Sequence, residues 1–79
     1  MKVELNLYAS LKRYLPEETG GKSLRMELHE GTTVEELLDQ LKVPPKAVKV
    51  VFLNGVHASG RETLKDGDRL GVFPPVAGG

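Results

Sequence analysis

From the first residues apolar and polar positions alternate. Val3, Leu5 and Leu7 are interleaved with Lys2, Glu4 and Asn6, the two-residue period of a strand that buries one face. By the same parity Tyr8 points away from that face. From Ala9 to Leu15 the period lengthens, because Leu11 and Leu15 stand one helical turn apart before Pro16 closes the segment; a short helix is expected there. Thr19-Gly20-Gly21 is loop chemistry. Leu24, Met26 and Leu28 then alternate with Ser23, Arg25, Glu27 and His29, which predicts a second strand pairing with the first as a hairpin whose loop carries the helical turn.

Gly31 ends that strand, and Thr32-Thr33 opens the clearest helix of the chain. Thr32-x-x-Glu35 and Thr33-x-x-Glu36 both have the spacing of a capping box, in which hydroxyl and carboxylate satisfy amides that lack a helical partner. Val34, Leu37, Leu38 and Leu41 make one apolar stripe, and Pro44-Pro45 prevents continuation. Val48 to Leu53 is rich in β-branched and apolar residues with little alternation, which predicts a strand in the middle of the sheet. Asn54-Gly55 predicts a tight turn, Val56 to Ala58 a short return strand, Asp66-Gly67-Asp68 another turn, and Arg69 to Phe73 a last strand stopped by Pro74-Pro75. The elements predict an α+β fold in two layers, a mixed sheet packed on one main helix.

Composition narrows the function. Seventy-nine residues make one domain, residues 1–79, which buries only about 60–65% of its unfolded surface. Eleven Lys and Arg balance eleven Asp and Glu, for a net charge of zero, which argues against a nucleic-acid partner because phosphates need a surplus of cations on one face. Without cysteine, disulfides, zinc knuckles and thiol catalysis are excluded. The longest apolar run, Val50 to Leu53, falls far below the ~20 residues that cross a bilayer, and no signal-peptide apolar segment opens the chain. No membrane association and a cytoplasmic address are expected.

Conventional catalytic groups are not assembled. His29 and His57 lie in strands without a second imidazole at i+3 or i+4, so no metal site is expected. Ser10, Ser23 and Ser59 lack the glycines of a nucleophile elbow, and no glycine spacing fits a phosphate-cradling loop. Glu35, Glu36, Asp66 and Asp68 are accounted for as caps and turns.

The end of the chain is different. A Gly-Gly terminus alone is also what a frayed end looks like, but Pro74 and Pro75 fix φ twice and project the 74–79 tail, which is expected to be flexible, away from the last strand. Val76 and Ala77 shrink toward Gly78 and Gly79, whose carboxylate has no Cβ beside it. Such a tail can thread a narrow channel and let another protein reach the Gly79 carbonyl. A carboxylate is inert toward nucleophiles until its oxygen becomes a leaving group, and ATP-dependent adenylation does that. With no cysteine in the chain, any sulfur carried would sit on the Gly79 carbonyl carbon as a thiocarboxylate.

The segment Asp66-Gly67-Asp68-Arg69-Leu70-Gly71-Val72-Phe73-Pro74-Pro75-Val76-Ala77-Gly78-Gly79 closely resembles the end of the small, ubiquitin-like sulfur-carrier subunit of molybdopterin synthase (the MoaD/ThiS family). The resemblance extends to Ala9-Ser10-Leu11-Lys12, to Gly31-Thr32-Thr33-Val34-Glu35-Glu36-Leu37-Leu38 and to Leu53-Asn54-Gly55. It implies a ubiquitin-like β-grasp fold and a chain that is not catalytic alone. An E1-like adenylating enzyme would spend ATP on Gly79, a sulfur donor would convert it to a thiocarboxylate, and the large synthase subunit would use that sulfur to build the dithiolene of molybdopterin from cyclic pyranopterin monophosphate. No cofactor would be bound. Gly78 and Gly79 match the reactive end. Tyr8, His57 and Phe73 match partner contacts, with Pro74, Pro75, Val76 and Ala77 as the tail that a partner grips. His57 stands where an aliphatic residue is more usual, so it is either an apolar anchor or a polar rim contact. The alternatives are a carrier for another sulfur pathway (thiamin thiazole or cysteine synthesis), a ubiquitin-like protein modifier, and an interaction module whose Gly-Gly end is incidental.

Overall fold

A computed structural model describes residues 1–20 and 23–75, Glu18 by its backbone alone. The first strand, β1 (Lys2–Leu7), pairs antiparallel with β2 (Leu24–Glu27), Val3 opposite Met26 and Leu5 opposite Leu24, which is the hairpin expected from the alternation. Between them the Ala9–Leu15 segment is not an α-helix. Ala9–Tyr14 is a 3-10 helix, closed by i to i+3 bonds such as Leu11 N to Tyr8 O (3.0 Å) and Leu15 N to Lys12 O (3.0 Å). The tighter winding still delivers Leu11 and Leu15 to the core. Glu17–Thr19 adds a further 3-10 turn.

Among the described residues the one α-helix, α1 (Val34–Gln40), buries Val34, Leu37 and Leu38. Of the two capping boxes available, Thr33 with Glu36 is the one formed: Thr33 N donates to Glu36 Oε1 (2.9 Å) and Glu36 N to Thr33 Oγ1 (3.2 Å). Thr32 is buried and its hydroxyl instead donates to His29 O (2.7 Å). The loop after β4 (Val56–Ala58) supplies the next acceptors, with Val34 N donating to Glu62 O (3.1 Å) and Glu35 N to Gly60 O (2.9 Å). Tertiary packing therefore completes what the local box leaves open.

Five strands order as β2-β1-β5-β3-β4, with β5 (Arg69–Phe73) parallel to β1 and antiparallel to β3 (Val50–Leu53). The middle position belongs to β5. The strand expected there, β3, is flanked on both sides but stands fourth, and it begins at Val50 because Val48 closes a 3-10 turn over Pro45–Ala47. Nor is β3 buried on both faces: Val51 is in the core while Phe52 is exposed. A single helix covers a single face, so apolar side chains of the other parity remain outside.

The turns are tied by side chains. Asn54 and Gly55 take φ of 53° and 83°, the left-handed geometry of a tight hairpin turn. Asn54 Nδ2 donates to Asp68 Oδ1 (2.9 Å), and Asn54 Oδ1 accepts from Arg69 N (2.9 Å). Asp68 Oδ2 accepts from Lys65 N (2.7 Å) and Asp66 Oδ1 from Lys2 N (2.7 Å). The Asp-Gly-Asp segment thus fastens the start of β5 to the start of β1 and to the β3–β4 turn.

Candidate functional site

The face of the sheet away from α1 carries an aromatic platform. Tyr8 directly follows β1 and is held to the neighbouring strand by Tyr8 N donating to Val72 O (3.1 Å). Its neighbour Ala9 takes φ of 52°, where a residue with a Cβ is strained, and the chain turns there into the 3-10 helix. Phe73 ends β5, and Lys49 N donates to its carbonyl (2.8 Å). The Tyr8 and Phe73 rings stack at 4.4 Å with planes 5° apart. Phe52 from β3 meets Phe73 edge-on at 5.9 Å, and His57 from β4 meets Phe52 edge-on at 6.1 Å. The four rings form one continuous row, yet Tyr8, Phe52 and Phe73 keep 41%, 36% and 36% of their surface in solvent. Exposed aromatics gathered in this way are what docking surfaces use, since they bury large area at low entropic cost.

Sequence parity placed Tyr8 on this face, and the same alternation sets Phe73 opposite Leu70 and Val72; the structure brings both together with His57. Phe52 was missed, absorbed into a strand expected to be buried throughout. The signal was available: a two-residue Asn54-Gly55 turn sets Leu53 opposite Val56 and therefore Phe52 opposite His57, as observed. Val56, 69% exposed, has the other parity and does not join the row.

The platform ends at the root of the tail. Pro74 is half-buried and Pro75 exposed, directly after Phe73. The expectations for Val76, Ala77, Gly78 and Gly79, and most of the flexible tail assigned to 74–79, lie outside the described residues.

A hollow of about 300 Å³ runs beside the rings, floored by Gly71 and reaching Asn6 and Arg69. Arg69 and Glu4 form an ion pair at its charged end (3.6 Å), with the Arg69 side chain 72% exposed, so solvent screens it and its energetic worth is small. A larger cleft, about 590 Å³, opens between α1 and the β3–β4 edge. It lies on the opposite side of the sheet from the rings, and the Glu36 carboxylate on its wall is already committed to the helix cap. Among the described residues, no group of three or more His, Asp or Glu side chains is placed to hold a metal ion.

Among the described residues one titration is displaced. Glu62 has its carboxyl pulled from the usual 4.5 to about 2, foremost by the Ser59 amide (2.8 Å), with the Gly60 amide (2.8 Å) and the Ser59 hydroxyl (3.2 Å) also donating to it. Together with the amide of Glu62 itself, these donors stabilise the charged form. This carboxylate braces the loop whose carbonyls cap α1, a structural role.

Comparison with known proteins agrees with this geometry. A model described as the ThiS family matches residues 11–79. Small archaeal modifier protein 3 of Haloferax volcanii is 34% identical in an alignment covering 100% of both chains. Elongation factor 1-alpha of Sulfolobus acidocaldarius is 42% identical over 70% of this chain, although the chain spans only 16% of that protein's length. Among solved structures, SAMP1 from Haloferax volcanii superposes with a TM-score of 0.76 at 27% identity over 100% of both chains. A Pyrococcus furiosus protein described as molybdopterin converting factor, subunit 1, gives 0.72 at 31% identity over 96% of this chain and 99% of its own. The fold is the ubiquitin-like β-grasp.

Proposed function

The chain belongs to the ThiS family of ubiquitin-like carriers and modifiers, and on that premise we propose that it is the sulfur carrier of molybdopterin synthesis. The observation that carries this reading is the joining of an exposed aromatic platform, Tyr8, Phe52, Phe73 and His57, to the Pro74-Pro75 root of a Gly-Gly tail. Subunit 1 of the P. furiosus converting factor, with 31% identity, supports the molybdopterin assignment.

In this reading the body docks and the tail reacts. An E1-like enzyme joins the Gly79 carboxylate to AMP from ATP with release of pyrophosphate. A sulfur donor then replaces AMP, leaving a thiocarboxylate. The large synthase subunit binds the same carrier and passes its sulfur to cyclic pyranopterin monophosphate, water restoring the carboxylate. The chain supplies Gly78 and Gly79, whose bare backbone admits the enzyme's groups, and Val76 and Ala77, narrow enough to be threaded. It binds no cofactor, and ATP is consumed on the partner. A cytosolic address belongs to the proposal because activation draws on ATP; among the described residues no helix is long and apolar enough to cross a membrane.

Intact mass after incubation with an E1-like enzyme, ATP and a sulfide source tests the reading. An increase corresponding to sulfur in place of oxygen at Gly79, discharged on adding the large subunit and cyclic pyranopterin monophosphate, is expected. Loading without discharge would move the chain to another sulfur pathway, and no loading by an enzyme active on a known carrier would refute the proposal. A second reading, conjugation to lysine amines, is favoured by the 34% identity with small archaeal modifier protein 3. It predicts Gly79 in isopeptide linkage.

A further inference from the structure

Gly71 is an anomaly by ordinary strand logic. It stands in β5, the middle strand of the sheet, where a residue without a side chain weakens the strand and β-branched residues are favoured. Its φ is not in the left-handed region, so no backbone geometry demands glycine there. Its surroundings explain it instead. Gly71 lies between Asn6 of β1 and Phe52 of β3 in the ladder, and a Cβ placed on it would sit 3.4 Å from Tyr8 Cε2 and 3.7 Å from Phe73 Cε1. Both rings of the 4.4 Å stack therefore lean over the bare Cα of Gly71.

We propose that Gly71 is a positioning residue for partner docking: by leaving its place on the open face empty, it lets Tyr8 and Phe73 close over the strand as one flat pair. The inference rests on the reading that this platform docks the E1-like enzyme. A methyl at 71 reaches only ordinary van der Waals contact, whereas the γ-carbons of a β-branched residue would enter the volume of the rings. Because both rings are partly in solvent, they would swing outward and the fold would survive. The stack, and with it the shape presented to the partner, would be lost. Stability and docking should therefore move in different directions at this position.

Steady-state adenylation by an E1-like enzyme active on the unaltered chain, read as carrier-dependent ATP–pyrophosphate exchange, tests this. It is run on full-length Gly71→Val, Gly71→Ala and Phe73→Ala, with ring-proton chemical shifts of Tyr8 and thermal midpoints measured alongside. Gly71→Val should keep or raise the midpoint, remove the upfield shift that stacking imposes on Tyr8, and raise KM for the carrier about three- to ten-fold with kcat unchanged. Gly71→Ala should stay close to the unaltered protein in all three. If Phe73→Ala raises KM while Gly71→Val loses the stack and leaves KM alone, the role of Gly71 is refuted and the docking face stands. If Phe73→Ala also leaves KM unchanged, the docking reading itself fails. Should Gly71→Val lower the midpoint, the glycine is structural and the proposal is wrong.

Discussion

Leu37 is the residue on which the two layers depend most simply. It is fully buried on the inner stripe of α1, with Val34 also fully buried beside it, and α1 is only the seven residues Val34–Gln40. Leu37→Ala removes three carbons, which at about 0.8 kcal/mol each sets a floor of about 2.4 kcal/mol. Whatever cavity persists adds about 24 cal/mol per Å³. Leu5 of β1 and Leu70 and Val72 of β5, from strands paired on both sides, belong to the same buried cluster. Strands paired on both sides cannot collapse into the void, so ~3–4 kcal/mol is expected. A domain of this size has a total stability of about 4–12 kcal/mol, and each kcal/mol moves the midpoint by about 4–8 °C, so the variant should melt roughly 15–30 °C lower. Denaturant titration with thermal scans gives the stability, and sulfur loading measured in the cold, where the variant remains folded, gives the chemistry. Loading per folded molecule should be unchanged, because the body holds the tail without reacting. A loss under ~1 kcal/mol would mean α1 does not plug the sheet as described; failure to load while folded would break the separation of scaffold from reactive end.

Three further outcomes follow from the same structure. Deleting Gly79 should abolish loading and leave the thermal midpoint in place, since among the described residues the core ends at Val72; calorimetry beside intact mass checks both halves. Thr33→Ala removes the acceptor for the Glu36 amide and should cost about 0.5–2 kcal/mol in denaturant midpoint, whereas Thr32→Ala should leave the cap intact. Glu62 has a folded pKa of about 2 against 4.5, so the unfolded chain binds its proton first on acidification. Its stabilisation is complete above 4.5 and drains away as the pH falls toward 2. The acid limb of the stability curve should therefore be shallower in Glu62→Gln, and an identical limb would show that the loop clasp is not formed in solution.

Much of the fold was legible locally. The alternation of Val3, Leu5 and Leu7, the stripe of Val34, Leu37 and Leu38, the capping boxes, the Asn54-Gly55 turn and the parity of Tyr8 and Phe73 depend on periods and dihedral preferences that operate over a few residues. The errors fall where the outcome needs a distant partner. Ala9–Tyr14 winds as a 3-10 helix where the pairing of Tyr8 N with Val72 O in the distant β5 holds its start. Phe52 stays outside because α1 lies on the other face. Thr33 prevails over Thr32 because the loop through Gly60 and Glu62 brings its carbonyls to the first amides of α1.

The sequence by itself determined the kind of element at most positions, the two-layer class and the character of the Gly78-Gly79 end, all properties of neighbouring residues and their chemistry. Tertiary structure alone decided that β5 is the middle strand and runs parallel to β1, and that residues 8, 52, 57 and 73 form one surface over Gly71. Side-chain parity says which way a residue faces. Which strands lie next to each other follows from the arrangement that buries the most apolar surface under α1 while pairing the backbone, a balance no short stretch of chain contains.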